Sequence, residues 1–151
     1  SSPTQRDYVE ITVKREEDGL ESRFLHDHVA VGDPVDVSGP LGNFTFTGTE
    51  ADSIVLISAG VGITPMMCVV RYLTDRSFPG EIVFLHGART PEEFIFREEL
   101  GYLEKRHEKV HFAVTVEQAE PFWTGAVGRL SKEFIAQAVP DIARRRVHVC
   151  G

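Results

Sequence analysis

Gly60, Gly62, Thr64 and Pro65 stand together in the run Ser58-Ala-Gly-Val-Gly-Ile-Thr-Pro65, and their spacing suits an anionic group. Glycines at 60 and 62 permit a tight turn and a close approach to the backbone with no Cβ in the way. A threonine hydroxyl can cap a helix start, and proline suits the first helical position, where an amide hydrogen is not needed. A helix begun in this way offers free N–H groups and the positive end of its dipole to a phosphate. The spacing is Gly-x-Gly-x-x-Pro, however, and not the Gly-x-Gly-x-x-Gly of the usual dinucleotide fingerprint. Alone it leaves open a plain glycine turn between packed elements.

Other residues with chemistry to offer are few. Cys150 ends the last apolar run, beside Gly151, and Cys68 falls in an expected helix. Two distant cysteines in such places read as reduced thiols, and no cluster able to hold zinc or an iron–sulfur centre is present. His26 and His28 would point about 200° apart on a helix, with no third ligand, so no metal site is expected. No Gly-x-Ser-x-Gly nucleophile motif occurs. Arg89, in His86-Gly-Ala-Arg-Thr90, could meet a 2′-phosphate or pair at the surface with Glu92 or Glu93. The Phe122-Trp-Thr-Gly125 loop is equally suited to partner contact and to simple anchoring.

The elements that must carry these residues change rhythm along the chain. Residues 8–14 alternate as a half-exposed strand, and Glu16-Glu-Asp-Gly19 turns the chain. A short helix is expected over 20–29, with Phe24, Leu25 and His28 facing inward. Short strands at 35–37 and 44–46 flank the loop Gly39-Pro-Leu-Gly-Asn43. This is the grammar of an antiparallel sheet or barrel. From about Ser53, strand and helix alternate: strands at 54–58, 81–86, 110–116 and 147–150, with helices at 65–74, from Thr90 and Pro91 to about Arg106, and at 132–139 behind a Ser131 cap. Repeated βα units imply a parallel sheet covered on both faces. A strand order 3-2-1-4 would bring Cys150 beside the glycine turn, at the switch point where such sheets bind ligands.

With 151 residues the chain can bury one sizeable core or share two smaller ones. Its net charge of −7 argues against a general nucleic-acid or anionic-membrane binder. Arg144-Arg-Arg146 is a local exception, read as a solvated helix end or loop. No apolar run is long enough to span a bilayer, and no charged-then-apolar signal segment stands at the start; the two distant cysteines favour a cytoplasmic setting. The start at Ser1-Ser-Pro3, without Met, and the stop at Cys150-Gly151 read as the ends of a fragment.

In order and spacing, Val13-Lys-Arg15, Gly19-Leu-Glu-Ser-Arg-Phe-Leu-His26, Val31-Gly-Asp33, Gly39-Pro-Leu-Gly-Asn-Phe44, Gly60-Val-Gly-Ile-Thr-Pro65 and Cys150-Gly151 resemble the ferredoxin-NADP reductase superfamily. That family includes the reductase components of aromatic-ring dioxygenases and the reductase part of flavohaemoglobins. The resemblance implies a partial antiparallel β-barrel for flavin over residues 1–50, followed by an α/β parallel-sheet NAD(P)-binding domain over 51–151, truncated at its C-terminus. It sets Gly19, Leu20, Glu21 and Ser22 at the flavin's phosphate chain and Val13 and Lys14 close to the flavin. It assigns Gly60, Val61, Gly62, Thr64 and Pro65 to the nicotinamide nucleotide, and Cys150, followed by Gly151, to the nicotinamide ring, with a packing and polarising role. The family's Arg-x-Tyr-Ser motif would lie just before Ser1.

The implied activity is hydride transfer from NADH or NADPH to FAD, or to FMN, then single-electron transfer to an iron–sulfur or haem partner. That partner would be a ferredoxin, an oxygenase or a fused domain, with an iron–sulfur cluster on a segment absent here. Cofactors carry such chemistry, which accounts for the lack of a catalytic dyad. The alternative is a nucleotide-binding or redox-sensing module that keeps the fold without turnover.

Overall fold

The computed structural model describes residues 2–39 and 41–151. Ser1, at the expected fragment start, and Pro40, in the loop before Phe44, lie outside the described residues. A first helix, α1 (Leu20–Asp27), precedes the sheet elements β1 (Ser53–Ala59), α2 (Ile63–Asp75), β2 (Glu81–Ala88), α3 (Arg97–Arg106), β3 (Val110–Val116), β4 (Ala126–Val127), α4 (Lys132–Ala138) and β5 (Arg146–Cys150). All neighbouring strands pair in parallel, in the order β4-β3-β2-β1-β5. The expected 3-2-1-4 order is therefore present, with β5 as its last member and the two-residue β4 added at the outer edge.

The apolar run of β1 is buried from Ile54 to Ile57, as a strand covered on both faces requires. Alternate residues serve opposite layers. Ile54 and Leu56 join Phe84, Met66, Val70 and Leu100 on one side, while Val55 and Ile57 join Val83, Leu85 and Val139 on the other. Ser131 caps α4 as expected, its Oγ accepting from the Phe134 amide at 3.1 Å.

Two helix starts differ from expectation. Helix α2 begins at Ile63, directly after a 3-10 turn at Gly60–Gly62. Thr64 makes no side-chain cap, and Pro65 is the third helical residue, in the first turn of α2, where the Ile63 N–H donates to the Gly60 and Val61 carbonyls. Helix α3 begins at Arg97 instead of Pro91, behind Phe96 in the left-handed region at φ 60°. Phe94 explains the delay. It is buried against the rings of His86 and Phe112, with centroids 5.4 Å away in each case. Tertiary burial here overrides local helix propensity.

The N-terminal third departs further. Helix α1 forms, but none of its residues is buried: Phe24 is 56 % exposed and meets the ring of His28 instead of a core. The expected strands at 8–14, 35–37 and 44–46 have no ladder pairing among the described residues. A strand exists only through its partners, and Tyr8, Val9, Ile11, Val35 and Val37 are all more than half exposed. The structure thus contains the parallel-sheet part of the expected fold, and no antiparallel barrel among the described residues. Among the described residues of this region only Phe46 is buried in the core.

Candidate functional site

The two glycines of the turn are needed for different reasons. Gly60 has φ +50°, and a Cβ there would meet nothing within 4 Å, so the requirement is conformational and its outer side is open. Gly62 has an ordinary φ of −59°. A Cβ on it would fall 2.5 Å from the Cys150 carbonyl carbon and 2.8 Å from Gly151 Cα. Its bareness admits the end of β5, and not a ligand as the sequence suggested. Cys150 pairs in register with Ser58 of β1, which sets the half-buried thiol residue beside the turn at the carboxyl edge of the sheet.

A groove of about 430 Å³ runs past the carboxyl ends of β1 and β2. Ala59, Gly60 and Val61 line it from one strand end, Gly87, Ala88 and Arg89 from the next, and Thr12, Val13 and Lys14 from the N-terminal segment. A neighbouring hollow of about 290 Å³ shares Ala59, Gly87, Ala88 and Glu117 and adds Gly128, Arg129 and Leu130. Small residues keep both open. The cations around them carry exposed carboxylate partners: Arg89 faces Glu93 at 3.9 Å, Arg129 meets Glu117 at 3.1 Å, and Lys14 meets Glu16 at 2.9 Å. Exposed pairs of this kind are weak and exchange readily for a better anion. Thr64, Pro65, Gly62, Cys150 and Gly151 do not line the groove; Gly62 packs on the Cys150–Gly151 backbone beside it.

Beneath the groove lies a pair that sequence reasoning missed. Ser58 Oγ and His86 Nδ1 share a hydrogen bond of 2.8 Å, and both residues are buried. Burial pushes the His86 imidazole down to about 4, against a smaller upward pull from Ser58. The signal available was the polar residue near the end of each apolar run. Cys150, Ser58 and His86 stand in one register row across β5, β1 and β2.

The other predicted segment starts α1. Gly19 is its N-cap, with no side-chain cap, and a Cβ there would overlap Ser22 Oγ. Ser22 Oγ accepts from the Glu16 amide at 3.2 Å and so holds the turn closed. Gly19 and Leu20 border a separate hollow of about 390 Å³ with Arg23 and Phe24. His26 donates from Nε2 to the Val13 carbonyl at 2.8 Å, tying this helix to the segment that lines the main groove. Arg15 makes a second tie through two contacts to Asp27, which hold the Asp27 carboxyl below its usual range. Trp123 donates to the Ala126 carbonyl at 3.0 Å under Arg97, which anchors its loop, while Phe122 stays exposed.

Comparison with known proteins fits this geometry. The oxidoreductase NAD-binding domain profile matches residues 56–151. The chain belongs to that family. The oxidoreductase FAD-binding domain profile matches residues 1–46, so the groove is lined from both matched regions. The glycine betaine monooxygenase reductase subunit of Chromohalobacter salexigens is 36% identical over 155 residues, covering 100% of this chain and 42% of that protein. The NADH oxidoreductase HCR of Escherichia coli is 33% identical over 152 residues, covering 100% and 44%. The chain thus spans less than half of either relative. Among solved structures, the cytochrome b5 reductase domain of Ulva prolifera nitrate reductase superposes with a TM-score of 0.71 at 30% identity, over 79% of this chain and 48% of that one. The flavohem-like FAD/NAD binding domain of a nitric oxide dioxygenase from Vibrio cholerae gives 0.72 at 26% identity, over 91% and 69%.

The residues present fit both cofactors of these domains. Open backbone at Gly60 before an uncapped helix start suits a nucleotide diphosphate, and the uncapped, exposed start of α1 suits a second phosphate group. Among the described residues no group of three His, Cys, Asp or Glu could hold a metal, and no helix is long and apolar enough to cross a membrane.

Proposed function

We propose that this chain is the cofactor-bearing part of a flavin-dependent NAD(P)H reductase. One observation carries the reading: Val13 and Lys14 from the FAD-matched region and Gly60, Val61 and Arg89 from the NAD-matched region line a single groove. Residues 1–50 act as the flavin unit, within an antiparallel barrel that needs further strands, and residues 51–151 act as the nucleotide unit.

Bound here, FAD would supply the chemistry of accepting a hydride from NADH or NADPH and of releasing the two electrons singly. The protein's residues bind, orient and exclude water. Gly60 and Val61 would receive the nucleotide's diphosphate at the open turn that leads into α2, whose start Thr64 and Pro65 shape. Arg89 faces the adenosine ribose and exchanges Glu93 for a 2′-phosphate where one is present. Gly19, Leu20, Glu21 and Ser22 hold the flavin phosphates, Val13 and Lys14 flank its ring, and FMN would use the same contacts. Gly62 lets Cys150 and Gly151 close on the turn beside the groove, where the Cys150 side chain would approach the nicotinamide without covalent attack. Orienting donor and flavin for direct transfer would be the main catalytic contribution of these residues.

Electrons then leave to an oxygenase, ferredoxin or haem partner, a destination supported by the names of the monooxygenase reductase and flavohemoprotein relatives. The test is to load the full-length protein with FAD and add NADH or NADPH without oxygen. Loss of the flavin absorbance is expected, and the faster donor defines the preference. A loaded flavin that neither donor reduces would favour a binding or sensing module instead.

A further inference from the structure

We infer that His148 is a positioning residue that keys the flavin unit to the strand carrying Cys150. The inference rests on the reductase reading above. His148 lies in the middle of β5, in register with Leu56 of β1, and is 7% exposed. Its Nε2 is 3.1 Å from the carbonyl oxygen of Thr45, a residue 103 positions away. A carbonyl can only accept, so Nε2 carries the hydrogen and donates it. The rings of Phe44 and Phe46 meet the imidazole edge-on, with centroids at 5.1 and 5.8 Å and planes at 90° and 71°. Phe46 is itself fixed in the core, packing edge-on against Phe78 at 6.0 Å.

Three consecutive residues, 44–46, therefore close around one imidazole. Phe44 to Phe46 end the region matched as FAD-binding, and His148 lies inside the region matched as NAD-binding. Other ties between the two regions go elsewhere: Ser2 and Thr4 donate to Asp75 and Arg71 pairs with Glu10 on α2, and Phe46 meets Phe78 beyond that helix. Only the His148 contact, among these, reaches β5. Cys150 lies two positions beyond His148, about 7 Å along a strand. Any shift of residues 44–46 against β5 is thus delivered to the strand end that borders the glycine turn. An apolar residue at 148 would fill the same space but would strand the Thr45 carbonyl and free that segment to slide. Hydride transfer tolerates little misplacement, whereas nucleotide binding through Gly60 and Arg89 does not depend on this contact.

The test compares His148→Leu with His148→Gln, whose side-chain N–H can replace the Nε2 donor, in the flavin-loaded full-length protein. In His148→Leu the rate of flavin reduction at saturating donor is expected to fall about tenfold or more, with the donor's Kd unchanged, and His148→Gln is expected to recover most of the rate. Amide hydrogen exchange at residues 44–46 should quicken in the Leu variant and not in the Gln variant. A second variant, Phe44→Leu, alters the clasp at a half-exposed position where folding is not at risk, and should show the same split between rate and Kd to a smaller degree. Wild-type rate and exchange in His148→Leu would overturn the proposal, as would equal losses in rate and Kd in Phe44→Leu. A wild-type flavin that neither donor reduces would instead contradict the reductase reading, and exchange at 44–46 would still decide whether His148 holds the clasp.

Discussion

Gly62 and Cys150 meet backbone to backbone: a Cβ on Gly62 would sit 2.5 Å from the Cys150 carbonyl carbon. The turn after β1 and the end of β5 are therefore one packed unit, and substitutions at the two glycines should separate their roles. Gly62→Ala forces the strand end away and should cost about 1–3 kcal/mol, more if β5 cannot shift. Gly60→Ala meets open space and costs only the left-handed backbone, about 1 kcal/mol, with Gly60→Asn milder still. Urea unfolding of the three variants checks the order. Equal losses for Gly62→Ala and Gly60→Asn would refute the close-contact explanation.

His86 gives the fold a specific acid sensitivity. Its pKa falls from 6.5 to about 4 because burial disfavours the cation. Between those values the unfolded chain binds the proton and the folded chain does not, so stability is full above about 6.5 and declines as pH falls towards 4. The shift corresponds to about 3 kcal/mol at most. His86→Phe should remove this part of the pH dependence. Denaturation midpoints at pH 4, 5, 6 and 7 provide the comparison, and parallel curves for wild type and variant would speak against it.

How much of this was legible in advance depended on whether the information was local. The strand at 54–58, the Ser131 cap and the approach of Cys150 to the turn follow from an apolar run, a capping residue and a common strand order, and all are found. The late start of α3 is not local, since it depends on Phe94 reaching His86 and Phe112. Nor is strand formation at 8–14 or 35–37, where alternation in the sequence signals a capacity to pair but pairing needs another strand. The Ser58–His86 bond joins residues 28 positions apart, and neither residue marks it alone.

Ser131→Ala tests the best-formed helix cap. Losing the hydroxyl leaves the Phe134 amide without its acceptor and should cost about 1 kcal/mol. Glu133, held below its usual carboxylate range by its own backbone amide and by Ser131, should titrate higher in the variant. Thermal melting and carboxyl NMR titration report the two effects, and an unchanged melting temperature would count against the cap.

Arg71 joins two helices and the N-terminal segment. It donates to Glu99 at 2.6 and 2.7 Å and to Glu10 at 2.9 Å, and it lies over the Phe96 ring. With its side chain 18% exposed, the guanidinium is shielded enough for these bonds to matter. Arg71→Met should destabilise the protein by about 1.5–3 kcal/mol. Restoration in an Arg71→Met, Glu99→Leu double variant would show that the stranded carboxylate is the cause, and no restoration would assign the loss to packing.

The most direct test of the groove as the meeting place of donor and flavin is rapid anaerobic mixing of the FAD-loaded full-length protein with the preferred nicotinamide donor, alongside the same donor deuterated at the transferred C4 position. Single-turnover bleaching of the flavin is expected to slow with deuterium, and to slow further when Gly60→Val intrudes on the groove. Bleaching unaffected by both the isotope and Gly60→Val would contradict hydride transfer at this site.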